Sequence, residues 1–130
     1  MSINVLVVDD SAVMRAMIIK TLKLAGTPLG EVHQAANGQE GLDVLENHWV
    51  DVVFADINMP VMDGEEMIDR IRANPALRDL PIVVVSTEGS KTRIQSFHEK
   101  DAEFVHKPFT PEIIRDILEQ KLGISHAQQA

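Results

Sequence analysis

Val5-Leu6-Val7-Val8-Asp9-Asp10 and Val52-Val53-Phe54-Ala55-Asp56 share one build, a short apolar run closed by carboxylates. Continuous β-branched runs of this length read as strands buried on both faces, which suits a parallel sheet covered by helices. In an open parallel sheet the ligand crevice lies beyond the carboxyl ends of the strands. Asp9, Asp10 and Asp56 are therefore expected to converge on one acidic site. At about 5 Å separation and an effective dielectric of about 20, each pair repels by about 3 kcal/mol, so the cluster needs a cation. An all-oxygen donor set favours a hard ion, Mg²⁺ or Mn²⁺.

Working outward, apolar runs at 3–8, 51–55 and 82–86 and weaker strand candidates at 31–35 and 103–106 are separated by segments of helical periodicity. The first helix starts after Asp10, capped by Ser11 or Asp10, and presents Met14, Met17, Ile18 and Leu22 on one face until Gly26 and Pro28 stop it. The second follows Asn37-Gly38 and turns Leu42 and Leu45 inward, with Trp49 as a further candidate. The third runs from near Gly64 to before Pro75 with Met67, Ile68 and Ile71 at core spacing. Between Ser90 and Lys100 only Ile94 and Phe97 are evident core residues, so the fourth helix is expected to be weakly held. The fifth opens at Thr110-Pro111 and buries Ile113 or Ile114, Ile117, Leu118 and Leu122.

Five strand–helix alternations joined by right-handed crossovers imply a three-layer α/β sandwich. The flavodoxin-like (βα)5 arrangement, a parallel five-stranded sheet of order 2-1-3-4-5, has its switch point between strands one and three, the strands that end in Asp9-Asp10 and Asp56. Residues 1–123 read as one domain and 124–130 as a frayed C-terminal tail.

With 130 residues and 45% hydrophobic content the chain suits a single core. No apolar stretch approaches the roughly 20 residues of a membrane span, and no signal-peptide pattern precedes the first strand, so a cytoplasmic protein without membrane insertion is expected. The absence of cysteine removes disulfides, thiolate metal sites and Cys nucleophiles. A formal charge of -8 argues against direct nucleic-acid binding, which needs a basic face. The five histidines show no ligand spacing, so no histidine metal site is expected.

Asp10 alone could simply cap a helix. However, Ser86-Thr87-Glu88 follow strand four and Lys107-Pro108 follow strand five, bringing a hydroxyl and an ammonium to the same crevice. Together with the run Asp56-Ile57-Asn58-Met59-Pro60-Val61-Met62-Asp63-Gly64 and with Lys107-Pro108-Phe109, these motifs in order at strand ends resemble the response-regulator receiver domain of two-component signalling, particularly its stand-alone CheY-like kind. The resemblance covers residues 3–122. It implies that Asp56 is the phosphoryl acceptor, that Asp9, Asp10, Asp56 and the backbone carbonyl of Asn58 hold Mg²⁺, and that Ser86 and Lys107 contact the phosphoryl group. It also implies a cis Lys107-Pro108 bond, a switch formed by Ser86 and Phe104, and Asn58 and Glu88 as residues that tune dephosphorylation. Phe104 lacks the hydroxyl of the tyrosine found in many chemotaxis members.

The implied partners are a histidine kinase or phosphotransfer protein upstream, and downstream a protein that reads the surface of the fourth helix, fifth strand and fifth helix. The implied protein is a monomeric switch of chemotaxis or phosphorelay type and not an enzyme acting on a separate substrate. Two features depart from the pattern, Asp101-Ala102 where many receivers have Gly-Ala, and the connection 26–30, which looks long. A haloacid-dehalogenase-type phosphatase would need an acid where Asn58 stands. A flavodoxin-like electron carrier would have its cofactor phosphate repelled by Asp9-Asp10-Ser11.

Overall fold

In a computed structural model, which describes residues 2–123, strands and helices alternate without interruption. The order is β1 (Ile3–Val8), α1 (Ala12–Leu24), β2 (Leu29–Ala35), α2 (Gly38–Asn47), β3 (Val52–Ala55), α3 (Gly64–Ala73), β4 (Ile82–Ser86), α4 (Lys91–Glu99), β5 (Ala102–His106) and α5 (Pro111–Leu122). The strands form one sheet of order β2-β1-β3-β4-β5, every pairing parallel. This is the expected flavodoxin-like sandwich. The tail expected at 124–130 lies outside the described residues.

Period-two alternation along the strands splits the core into two layers. Leu6, Val8, Val53, Ala55, Ile82 and Val84 face Leu45 of α2, Met67, Ile68 and Ile71 of α3 and Phe97 of α4. Val5, Val7, Val52, Phe54, Val83 and Val85 face Ile18 and Leu22 of α1 and Ile114 and Leu118 of α5. Each helix starts where a side chain accepts one of its free amide hydrogens: Ser11 from Met14, Asn37 from Glu40, Asp63 from Glu66, Ser90 from Arg93 and Thr110 from Ile113.

Two side chains expected inside, Met17 and Trp49, are not. Met17 is half exposed and, with Met14, Pro108 and Phe109, lines a groove of about 310 Å³ beside Lys107. Trp49 lies past the end of α2, 76% exposed, with its indole N–H donating to Asp51 Oδ1. A side chain beyond the helix terminus is free of the 3.6-residue period that aims Leu45 inward. Of the pair at the start of α5, Ile114 is buried and Ile113 is exposed. In α4 only Phe97 is fully buried and Ile94 is partly so, the two core residues expected there.

The connection between α1 and β2 is shorter than it looked, because β2 begins at Leu29. Its pairing with β1 shifts register between Ile3 and Val5, opposite Leu29 and Val32. Glu31 N donates to Asn4 Oδ1 at 2.8 Å across this bulge, and a Cβ at Gly30 would collide with that same oxygen. Asp101 takes a left-handed φ of 59°, so the turn into β5 keeps the shape that glycine would give it. Arg72 clasps the far side. Its guanidinium donates to the carbonyls of Arg78 and Leu80 before β4, and to those of Lys100 and Asp101 before β5.

Candidate functional site

The parallel ladder sets the carboxylates side by side. Val8 and Ala55 are register partners on β1 and β3, so the next residues, Asp9 and Asp56, emerge together at the carboxyl edge. Asp56 N donates to Val8 O, and Asp9 N donates to Ala35 O, extending the sheet by one residue at each position. On the other side Ser86 pairs with His106, and Lys107 N donates to Ser86 O at 2.9 Å. The cis Lys107-Pro108 bond follows immediately.

Asp9, Asp10 and Asp56 each offer a carboxylate oxygen within 4.8 Å of the others. Asp9 is buried, Asp56 half-buried and Asp10 exposed. Asp9 Oδ1 accepts from Ser11 N at 2.9 Å, and Asp56 Oδ1 accepts from Ile57 N at 2.8 Å. Lys107 Nζ reaches both acids without touching either, 3.8 Å from Asp56 Oδ1 and 3.9 Å from Asp9 Oδ2. Asp9 Oδ2 is thus buried with no hydrogen-bond partner.

Burial pushes the Asp9 carboxyl above its ordinary value; the Ser11 N–H opposes this, Asp56 adds to it, Lys107 opposes and Asp10 adds. Three carboxylates, one of which keeps a buried oxygen unbonded, fit a hard divalent cation and so fit Mg²⁺.

Ser86 is buried, and its hydroxyl accepts from Glu88 N at 3.1 Å. Glu88 is half-buried, with its carboxylate accepting from Ser90 N and lying 3.8 Å from Arg93. Asn58 is exposed in the loop after Asp56. Phe104 packs partly buried between the rings of Phe97 at 6.3 Å and His106 at 5.0 Å. Gly64 closes the loop beneath the acceptor. Its N–H donates to Ile57 O, and a Cβ there would run into the Asp56 carbonyl oxygen.

Sequence reading overlooked two contributors. Arg15 of α1 donates to Asp9 O at 2.6 Å and to Gln34 Oε1 at 3.0 Å, fixing the strand end that carries the buried acid. Its position one helical turn past Ser11 was the available signal. Arg93 joins Glu88 to Glu65 of α3. The histidines are also less scattered than their spacing indicated. The rings of His33 and His48 meet at 4.3 Å beside Glu31, because β2 and the end of α2 are neighbours in the fold and not in the chain.

The chain is similar along nearly its whole length to known proteins. Residues 5–119 match the response regulator receiver domain family. The chain is 37% identical over 129 residues to a chemotaxis protein CheY homolog of Campylobacter jejuni, covering 98% of both chains. It is 34% identical over 122 residues to chemotaxis protein CheY1 of Helicobacter pylori, covering 92% of this chain and 97% of that one. The crystal structure of Vibrio cholerae chemotaxis protein CheY4 superposes with a TM-score of 0.79 at 36% identity, covering 92% of this chain and 98% of that one. Fold, family match and full-length relatives agree, and the chain belongs to the response regulator receiver domains.

Proposed function

We propose that the protein is a stand-alone receiver that accepts a phosphoryl group on Asp56, from a histidine kinase or phosphotransfer protein, and signals through a conformational switch. The observation that carries this reading is the Lys107 ammonium held between Asp9 and Asp56, with the unbonded Asp9 oxygen beside it. Phosphoryl transfer is largely positioning and charge stabilisation, and an ammonium and an unbonded buried oxygen beside Asp56 support that chemistry. An Asp56 carboxylate oxygen attacks the phosphorus of a phosphohistidine in line, the P–N bond breaks, and the imidazole leaves with its electron pair and takes up a proton. Lys107 and the Ser86 hydroxyl neutralise charge on the equatorial oxygens. Mg²⁺ held by Asp9, Asp10, Asp56 and the Asn58 carbonyl would supply the remaining positive charge. In hydrolysis water, placed by Asn58 and Glu88, attacks the phosphorus, the bond from phosphorus to the Asp56 oxygen breaks, and inorganic phosphate and the Asp56 carboxylate are released, the water proton passing to solvent. The protein thus catalyses only its own phosphorylation and dephosphorylation and is not otherwise an enzyme.

The packing supports such a switch. Drawing the Ser86 hydroxyl toward a phosphoryl group vacates space that Phe104 can enter, and α4 beside it is anchored by Phe97 and by the Glu65–Arg93–Glu88 charges. The α4-β5-α5 surface would then present itself to a protein target in a chemotaxis-type pathway or phosphorelay. The working form is a cytoplasmic monomer. Among the described residues no helix is long and apolar enough to cross a membrane. Amide spectra with and without beryllofluoride and Mg²⁺ test the switch. Shifts should reach Ser86, Phe104 and α4, whereas shifts confined to the three aspartates would contradict it. Substitution of Asn58 or Glu88 should change the decay rate of the phosphorylated protein, and an unchanged rate would remove both from that role.

A further inference from the structure

Beyond the acidic crevice, a second group of donors converges on the outer edge of the sheet. Glu31 and His33 alternate onto one face of the edge strand β2, and His48 caps the C-terminus of α2, the helix packed against that face. The His33 ring sits 3.1 Å from Glu31 Oε1 through Nε2, and its centroid lies 4.3 Å from that of His48 with the planes inclined by 33°. One ligand atom from each of the three residues lies within 4.8 Å of the other two.

We propose that Glu31, His33 and His48 form a binding site for a borderline transition-metal cation, Zn²⁺ above all. Two imidazole nitrogens and one carboxylate oxygen match the donor preference of Zn²⁺ and not that of Mg²⁺, whose all-oxygen counterpart is the aspartate cluster. Three protein ligands leave a fourth position, and the exposure of Glu31 and His48 opens it to water. The frame is already built. Glu31 N is bonded to Asn4 Oδ1 across the β1–β2 bulge, His33 is paired with Leu6 in the ladder, and His48 N is bonded to Val44 O. Tetrahedral coordination with bonds of about 2.0–2.1 Å places donors about 3.3 Å apart, so side-chain rotation alone closes the site.

An ordinary Glu31–His33 ion pair accounts for part of this arrangement but not for His48. Among the described residues, the His48 ring meets the His33 ring and makes no hydrogen bond to an acid. Two imidazoles against one carboxylate become mutually favourable when a cation sits between them. Loading the site would pin the edge strand to the end of α2, away from the Asp56 crevice.

Zn²⁺ titration of the full chain in a large excess of Mg²⁺, which holds the aspartate cluster occupied, tests the assignment. The readouts are calorimetry and the imidazole resonances of the five histidines. The expected result is one Zn²⁺ per chain, with the His33 and His48 rings shifting together, and binding weakened at least about ten-fold by H48Q and by E31Q. His48 and Glu31 are exposed, so both variants keep the fold, which circular dichroism verifies. Zn²⁺ binding of equal strength in H48Q, or the absence of Zn²⁺ binding to the wild type, would overturn the proposal.

Discussion

Lys107 holds its ammonium 3.8 Å from the Asp56 carboxylate, close enough for charge attraction and too far for a hydrogen bond that would occupy its lone pairs. The acceptor is therefore electrostatically steadied and still free to attack. Replacing Lys107 by methionine keeps the stem and removes the charge. The variant is expected to bind Mg²⁺ at least as tightly as the wild type, because a competing cation has gone, while phosphorylation by a small donor slows by about a hundred-fold. Parallel Mg²⁺ titration and phosphorylation kinetics separate the two effects, and a proportional loss of both would assign Lys107 to metal binding instead.

Asp9 should make the stability of the metal-free protein depend on pH. Its folded pKa is raised above 3.8, foremost by burial. The folded state therefore holds that proton more tightly than the unfolded chain, so ionising Asp9 costs stability as pH rises from the unfolded value through the folded one. Without metal, Asp9→Asn should unfold at a higher temperature than the wild type at neutral pH, and the difference should shrink as pH falls toward 3.8. Excess Mg²⁺ should reverse the order, since only the carboxylate gains from the cation. Thermal unfolding across pH with and without Mg²⁺ measures both.

Val61 carries backbone strain in the loop after the acceptor. Its φ of 67° is one that a β-branched residue rarely adopts, and its side chain is 83% exposed, so little packing compensates. Val61→Asn, which tolerates this conformation, should stabilise the fold by about 1 kcal/mol. The urea midpoint should rise with an unchanged slope. A fall would mean that Val61 contributes packing that its exposure conceals.

Arg72 should matter far more than a half-exposed arginine usually does. Four backbone carbonyls depend on it, in two segments distant in sequence. Arg72→Met should cost about 3 kcal/mol by stranding part-buried carbonyls, with amide exchange accelerating first around Leu80 and Asp101. A loss below about 1 kcal/mol would show that water replaces the guanidinium readily.

What could be read from sequence follows physical rules that act locally. Buried strands, capped helices and a carboxylate at a strand end each depend on a few adjacent residues, so β1, β3 and β4, the third strand to within one residue, and the Asp9-Asp10-Asp56 cluster are legible. Features that depend on packing between distant segments were not. Trp49 looked like a core residue because the end of α2 has no sequence mark as sharp as its Asn37 cap. The bulge opposite Asn4, the Arg72 clasp and the meeting of His33 with His48 all join separate elements and leave no local pattern. Arg15 lies between the two cases, near enough to Ser11 for helix geometry to aim it at Asp9.

Intact mass after treatment with acetyl phosphate, with and without Mg²⁺, on the wild type and on Asp56→Asn, tests the assignment of Asp56 most directly. The expected result is a single phosphoryl adduct that requires Mg²⁺ and is absent from Asp56→Asn. An adduct of equal yield in Asp56→Asn, or one indifferent to Mg²⁺, would contradict it.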